Sequence, residues 1–209
     1  MPATGPRGTE GYADEADALV RQYESLSFAD VYRHVLHLLP QPPAHVLDIG
    51  AGTGRDAAGL TDLGYRVTAV EPTTTLRLRA QHLHPSPQIE WLDDSLPDLH
   101  SLSARGDTFD VVMLTAVWMH LDAAERTRAM PVVAALLRSG GLMALTQRHG
   151  PVPAGRRMFE ITSAETIALA EAHGLTCIQR LEGGDSHFNR PGVTWDRLTF
   201  RRETAARED

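Results

Sequence analysis

Val-Leu-Asp-Ile-Gly-Ala-Gly-Thr-Gly, residues 46–54, decides the fold of this chain. Val46, Leu47 and Ile49 make a short apolar run of the kind that forms a buried parallel strand. The run stops at glycines spaced GxGxG, namely Gly50, Gly52 and Gly54. Gly50 can take backbone angles closed to other residues, and Gly52 lets the main chain approach a ligand closely. A helix is expected from Arg55, so the loop points free N–H groups into a crevice at the strand ends. Asp48 places a carboxylate just before the turn. An anion is a poor neighbour for a pyrophosphate and a good one for a cationic amine, so the loop reads as a nucleoside site whose ligand carries positive charge. The competing reading of Asp48 is a helix cap.

Outward from this loop, apolar strand-like runs at 45–49, 66–70, 88–92, 109–114, 142–147, 175–181 and 192–201 alternate with helical patterns. The helical stretches are 14–22, 28–39, 55–63, 73–82, 96–104, 123–138 and 164–173. Gly64 and Gly174 stand where helix C-caps belong, and Ser163 stands as an N-cap ahead of Glu165. Such alternation implies an α/β, doubly wound sheet with its ligand at the carboxyl ends of the strands. The 182–191 loop is too short for a crossover helix, so the last two strands should pair antiparallel as an edge hairpin. Residues 1–11 and the charged tail from Glu203 read as disordered. The expected organisation is an N-terminal tail and helical lid (1–40), a sheet domain (41–202) and a flexible tail (203–209).

At 209 residues with 42% hydrophobic content, the chain is one domain with a sizeable core. No apolar run approaches the roughly 18 residues of a membrane span. The opening residues lack the apolar core of a signal peptide, and the single Cys177 cannot form an internal disulfide; both lead to the expectation of a cytoplasmic protein. A net charge of −7 argues against a large nucleic-acid footprint. All 20 basic residues are arginines, which excludes a lysine Schiff base and a phosphate-loop lysine.

The second strand ends at Glu71, followed by Pro72. A carboxylate here can accept from both ribose hydroxyls, each bond worth about 1.5–3 kcal/mol; the alternative is a solvated strand-end charge. The third strand ends in Trp-Leu-Asp-Asp-Ser-Leu-Pro, residues 91–97, where one aspartate suits an adenine amino group. Arg55 is too large for the small residue that a nicotinamide fingerprint needs at its position.

Together these pieces resemble the class I S-adenosylmethionine-dependent methyltransferases, of the small bacterial type. The matching stretches are VLDIGAGTGRDAAGL (46–60), VTAVEP (67–72), WLDDSLP (91–97), FDVVMLTAVWMHL (109–121) and LLRSGGLMALTQR (136–148), in family order. The resemblance implies a Rossmann-like seven-stranded sheet, mostly parallel with an antiparallel last strand, under an N-terminal helical lid. It implies S-adenosylmethionine as cofactor and S-adenosylhomocysteine as product. Asp48, Gly50, Ala51, Gly52, Gly54 and Arg55 would hold the methionine end, Glu71 and Pro72 the ribose, and Asp93, Asp94, Ser95 and Leu96 the adenine, with Thr115 beside the cofactor. For the base, the Asp93 side chain and the Asp94 main chain are favoured; the doublet leaves the two exchangeable, and one of them reads as a helix N-cap.

Methyl transfer from a sulfonium spreads charge, so alignment of the reacting atoms dominates, worth up to about 7–11 kcal/mol. A base adds about 10²–10⁴-fold when the acceptor starts protonated. Three histidines map to the acceptor rim: His120 after the fourth strand, His149 after the fifth, and His187 in the closing hairpin. His149 is favoured because its loop also carries Arg156 and Arg157. Trp118 reads either as a ligand contact or as core packing. Tyr23 is the pocket-facing hydroxyl of a lid that begins near Tyr12; the same segment also reads as an amphipathic helix pair on the sheet edge. Arg148 and Arg190, with Arg156 and Arg157, hint at an acidic acceptor. No His/Cys/Asp cluster has metal-ligand spacing. The expected function is O- or N-methylation of a small molecule, with no nucleic acid or membrane partner. The alternatives are a protein or RNA methyltransferase with partner-supplied recognition, and a non-catalytic cofactor-binding protein.

Overall fold

The protein's structure, a computed structural model, describes residues 5–204. Seven strands form one sheet in the order β3-β2-β1-β4-β5-β7-β6. They are β1 (His45–Ile49), β2 (Arg66–Val70), β3 (Ile89–Leu92), β4 (Phe109–Leu114), β5 (Leu137–His149), β6 (Leu175–Asp185) and β7 (Thr194–Arg202). The first five pair parallel, and β7 inserts antiparallel between β5 and β6. The helices are α1 (Ala16–Tyr23), α2 (Phe28–Tyr32), α3 (Arg55–Asp62), α4 (Thr74–Leu83), α5 (His100–Arg105), α6 (Ala123–Leu136) and α7 (Ser163–Glu171). Among the described residues no helix is long and apolar enough to cross a membrane.

Strand alternation sorts the core into two layers. Leu47 and Ile49 of β1 join Val112 and Leu114 of β4 against Met130 and Val133 of α6. Val46, Val111 and Met113 face the other way, against Ala57 and Leu60 of α3 and Tyr32 of α2. Period-two alternation places Asp48 on this second side with Val46, facing α3.

Several elements depart from the sequence reading. The helix expected over 28–39 is α2 followed by a separate 3₁₀ turn, Leu36–Leu38. β5 starts five residues earlier than its apolar run, because Gly140 (φ +75°) and a register shift opposite Phe109 and Val111 carry the chain through a bulge. The stretch read as a helix from 96 becomes helical only at His100. Thr162, not Ser163, caps α7 in a capping box with Glu165; Ser163 Oγ instead donates to Asp196 Oδ2 at 2.7 Å. Gly64 follows the α3 C-cap with φ +93°, and Gly174 lies past α7 with φ +75°.

The disordered reading of 1–11 holds a correction for residues 5–11; residues 1–4 and 205–209 lie outside the described residues. The chain from Pro6 to Tyr12 turns back on itself (Thr9 N–H donates to Pro6 O and Tyr12 N–H to Thr9 O) and lies on His120, whose Cβ is 3.2 Å from where a Gly8 Cβ would sit. At the other end, Glu203 N–H donates to Gly174 O at 3.0 Å.

α2 rests on α3 through Gly59, where an added Cβ would lie 2.3 Å from Phe28 Cγ. Helix propensity alone makes Gly59→Ala stabilising by about 1 kcal/mol. The expected outcome is the opposite, a loss of about 1–3 kcal/mol from overpacking, measured by urea unfolding; a more stable variant would show that α2 is not fixed there.

Candidate functional site

A cavity of about 320 Å³ opens at the carboxyl ends of β1, β2, β4 and β5. β1 ends in the glycine loop, where Gly50 and Gly52 adopt φ +74° and +56°. Gly50 and Ala51 both donate to Val70 O, at 2.8 and 2.9 Å, which ties the loop to the end of β2. A Cβ on Gly52 would meet nothing closer than 3.9 Å, so the main chain faces open space. Gly54 is different: its φ is +82° and a Cβ would sit 3.0 Å from Trp91, so this glycine serves packing outside the cavity.

Glu71 lines the cavity and is 5% exposed. Its Oε2 accepts from Gly52 N–H at 2.9 Å and its Oε1 from Thr73 N–H at 2.7 Å. Burial pushes its pKa up, while these two donors pull it back. Each carboxylate oxygen can accept two hydrogen bonds, so one position remains on each. Pro72, Ala51, Arg55, Asp94, Ser95, Leu96 and Thr115 also line the space.

The two aspartates of the doublet take different positions. Asp93 lies outside the cavity, its carboxylate 63% exposed and 2.6 Å from Arg77. Asp94 lines it, but its side chain accepts from the main-chain N–H groups of Ser95, Ser101 and Leu102, capping α5 from a distance. At this corner Asp94, Ser95 and Leu96 line the cavity and Asp93 does not.

Asp48 also stays out of the cavity. It is 1% exposed with Oδ2 unpartnered. Burial, then the neighbouring Asp56 charge, push its pKa well above the usual carboxylate range. The face it shares with Val46 explains the placement. Asp56, in the first turn of α3, lines the cavity instead, with Arg55 2.6 Å away and Tyr32 Oη donating at 2.8 Å. Tyr32 also touches Thr115 Oγ1.

On the opposite rim the three histidines separate. His120 lines the cavity, 6% exposed, in a 3₁₀ turn after β4. Its Nδ1 lies 2.7 Å from Arg157 O and its Nε2 3.0 Å from Tyr12 Oη. A carbonyl only accepts, so Nδ1 carries the proton and Nε2 accepts from the tyrosine. Burial holds His120 below its ordinary pKa and raises Tyr12 above its own. His187 lines the cavity from the β6–β7 loop, exposed, with burial and Arg197 lowering its pKa. His149 does not line it: its Nε2 lies 2.9 Å from Asp196 Oδ2, across the β5–β7 pair. Trp118 is fully buried in the core beneath.

The lid comes from the N-terminus. Tyr23 stacks on Phe188 with centroids 6.5 Å apart, and Arg190 lies over the Phe188 ring at 5.4 Å. Thr53 Oγ1 donates to Glu24 at 2.5 Å, and Arg55 to Tyr23 O at 3.1 Å, so α1 is pinned to the glycine loop. Arg156 bonds Glu15 at 2.7 Å and covers the Tyr12 ring. Arg157 is spent on Asp122 and Glu125. Residues that sequence reading passed over, Asp56 and Arg197, reach the same space; no local motif marks either.

Residues 47–145 match the family model described as a methyltransferase domain. Human glycine N-methyltransferase is 25% identical over 189 residues, 74% of this chain and 63% of that protein. A ubiquinone biosynthesis O-methyltransferase of Methylocella silvestris is 34% identical over 105 residues, 50% of this chain and 40% of its own length. The chain thus spans less than two thirds of these curated relatives. Among solved structures, a Burkholderia thailandensis 1,6-didemethyltoxoflavin N1-methyltransferase, with 1,6-didemethyltoxoflavin and S-adenosylhomocysteine bound, superposes with a TM-score of 0.64 at 22% identity, covering 97% of this chain and 92% of that one.

The buried Asp48 carboxyl has a folded pKa above its unfolded value, so its contribution to stability is present at low pH and lost as pH rises. Asp48→Asn should therefore gain on the native protein progressively from about pH 4 toward pH 7, in urea unfolding at several pH values. A difference independent of pH would show that Asp48 is ionised in the fold.

Proposed function

We propose that this chain is a class I S-adenosylmethionine-dependent methyltransferase, a reading supported by its strand order and by the family match over 47–145, and that it methylates a small molecule held at the rim of its cavity. One observation carries the reading: a single cavity runs from the glycine loop and Glu71 to the Tyr12–His120 pair. Among the described residues, the glycine loop, Glu71, Tyr12 and His120 all line this one space.

The residues present fit the cofactor. The open main chain at Gly52 and the two unused acceptor positions on Glu71 suit a ribose and its amino-acid arm. Asp94, Ser95 and Leu96 would frame the adenine, and Asp56 with Arg55 would meet the zwitterionic end. When bound, S-adenosylmethionine supplies an electrophilic methyl group on a sulfonium. The chain contributes alignment and dryness: Tyr23 on Phe188 roofs the rim, and the segment from Arg7 to Tyr12 closes its side.

Proton removal falls to Tyr12 and His120. With Nδ1–H fixed on the Arg157 carbonyl, neutral His120 keeps Nε2 as an acceptor. An O–H or N–H acceptor that gives its proton to Tyr12 Oη displaces the tyrosine proton onto His120 Nε2. Tyr12 passes the proton on without accumulating as phenolate, as its raised pKa requires.

The small-molecule reading is supported by a cavity of about 320 Å³ that holds both the glycine loop and the Tyr12–His120 pair, and by the relatives named above. Glu71→Ala should weaken S-adenosylhomocysteine binding by about 2 kcal/mol, roughly 30-fold, in calorimetry; unchanged affinity would remove Glu71 from the ribose. His120→Gln should lower turnover about 10²-fold with the cofactor affinity unchanged. In the native protein, activity should fall along an acid limb that lies below the ordinary imidazole value of about 6.5, because burial holds the His120 pKa down, and this limb should vanish in the variant. A retained limb would place the base elsewhere.

A further inference from the structure

The charges lining the cavity are sorted along the sheet. Asp56, Glu71 and Asp94 follow β1, β2 and β3, on one half of the sheet order. Arg148 of β5, Arg197 of β7 and Arg190 of the β6–β7 loop stand on the other half. Of the other arginines lining the cavity, Arg55 pairs with Asp56 and Arg156 with Glu15, while Arg7, on the N-terminal segment, has no ion pair among the described residues. Among the described residues no ion pair reaches Arg148, Arg190 or Arg197.

Arg148 is the decisive one. It is 8% exposed, its guanidinium donates only to the Gly150 and Pro151 carbonyls, and its Nε has no partner. Burial and the nearby Arg190 charge both disfavour its charged form. Guanidinium cannot escape by losing its proton, so a buried, unpaired cation beside a second cation is held at a cost in stability. Met119, Met158, Phe188, Val193 and Trp195 give the same cavity apolar lining, with Tyr12, His120 and His187 among its polar lining.

We propose that Arg148, with Arg190 at the mouth, forms a carboxylate subsite, so that the methyl acceptor is an apolar-bodied small molecule bearing a carboxylate. This rests on the methyl-transfer reading for the word acceptor, but not for the subsite itself. A carboxylate suits the site better than a phosphate group. Two of the guanidinium's donors are already committed to main-chain oxygens, which leaves a planar edge rather than a three-sided cage. The anion would lie on the β5/β7 side, opposite the acidic half that suits a sulfonium and an ammonium.

The test uses the intact chain saturated with S-adenosylhomocysteine. Binding of 4-hydroxybenzoate and of its neutral match, 4-hydroxybenzamide, is measured by calorimetry. The carboxylate should bind at least tenfold more tightly than the amide. Arg148→Gln should erase that preference and leave S-adenosylhomocysteine affinity within twofold. Arg190→Gln, at an exposed position that folding does not depend on, should reduce the preference several-fold and weaken its dependence on salt. Equal binding of the pair, or binding of neither, overturns the subsite while the cofactor titration leaves the methyltransferase reading standing. Failure of the native chain to bind S-adenosylhomocysteine would instead strike that reading.

Discussion

The turns after β1 and β4 meet with no room for a side chain between them. A Cβ on Gly50 would fall 2.5 Å from Val117 Cγ2, and the φ of +74° is one that L side chains rarely adopt. β1 and β4 are parallel neighbours, yet the chain leaves them toward opposite faces: α3 joins the layer of Val46 and Val111, and α6 the layer of Leu47 and Val112. The crevice opens where those connections diverge. Gly50 is the residue that lets the two turns close its floor, and the remaining site residues are arranged around that contact.

The lid depends on the same floor. α1 is fastened to the glycine loop by Thr53 and Arg55, while the residues before it are fastened to the loop after β5 by Arg156 and to the post-β4 turn by Tyr12. One N-terminal segment thus bridges both walls of the crevice. Ordering of the glycine loop and ordering of the rim are consequently linked through residues 7–24, and a ligand that fixes one end lowers the entropic cost of fixing the other.

Strands were legible where burial on both faces forces unbroken apolar runs, as in 45–49, 66–70 and 109–114, and the glycine loop announced itself through residue types that few other turns require. Bulges were not: β5 passes through Arg138, read as the end of a helix, and Gly140, which fell between the helix and the strand expected there. Alternation carried information left unused, since the parity of Val46 already directs Asp48 toward α3 and away from the cavity. His149 looked favourable for its loop, but its pairing with Asp196 depends on β7 lying beside β5, a consequence of strand order that no local pattern encodes. Tyr12 was read as the start of the lid, beside a stretch whose composition suggested disorder; its partners, His120 and Arg156, lie more than a hundred residues away. Arg197 is likewise brought in by the antiparallel insertion of β7.

Two buried groups without ion-pair partners, Asp48 and Arg148, show how differently a fold can absorb charge. Asp48 can take a proton and become a neutral acid, so its burial beneath the glycine loop ends as a pH-dependent penalty internal to the chain. Arg148 has no such exit, because guanidinium keeps its proton at any pH at which the protein folds. Main-chain carbonyls at Gly150 and Pro151 satisfy part of its hydrogen bonding but carry no net charge to cancel its own. The balance must therefore come through the open side of the cavity, from solvent or from an anion. A cavity wall that keeps a permanent positive charge facing a partly apolar chamber selects among occupants before any group on the occupant reacts.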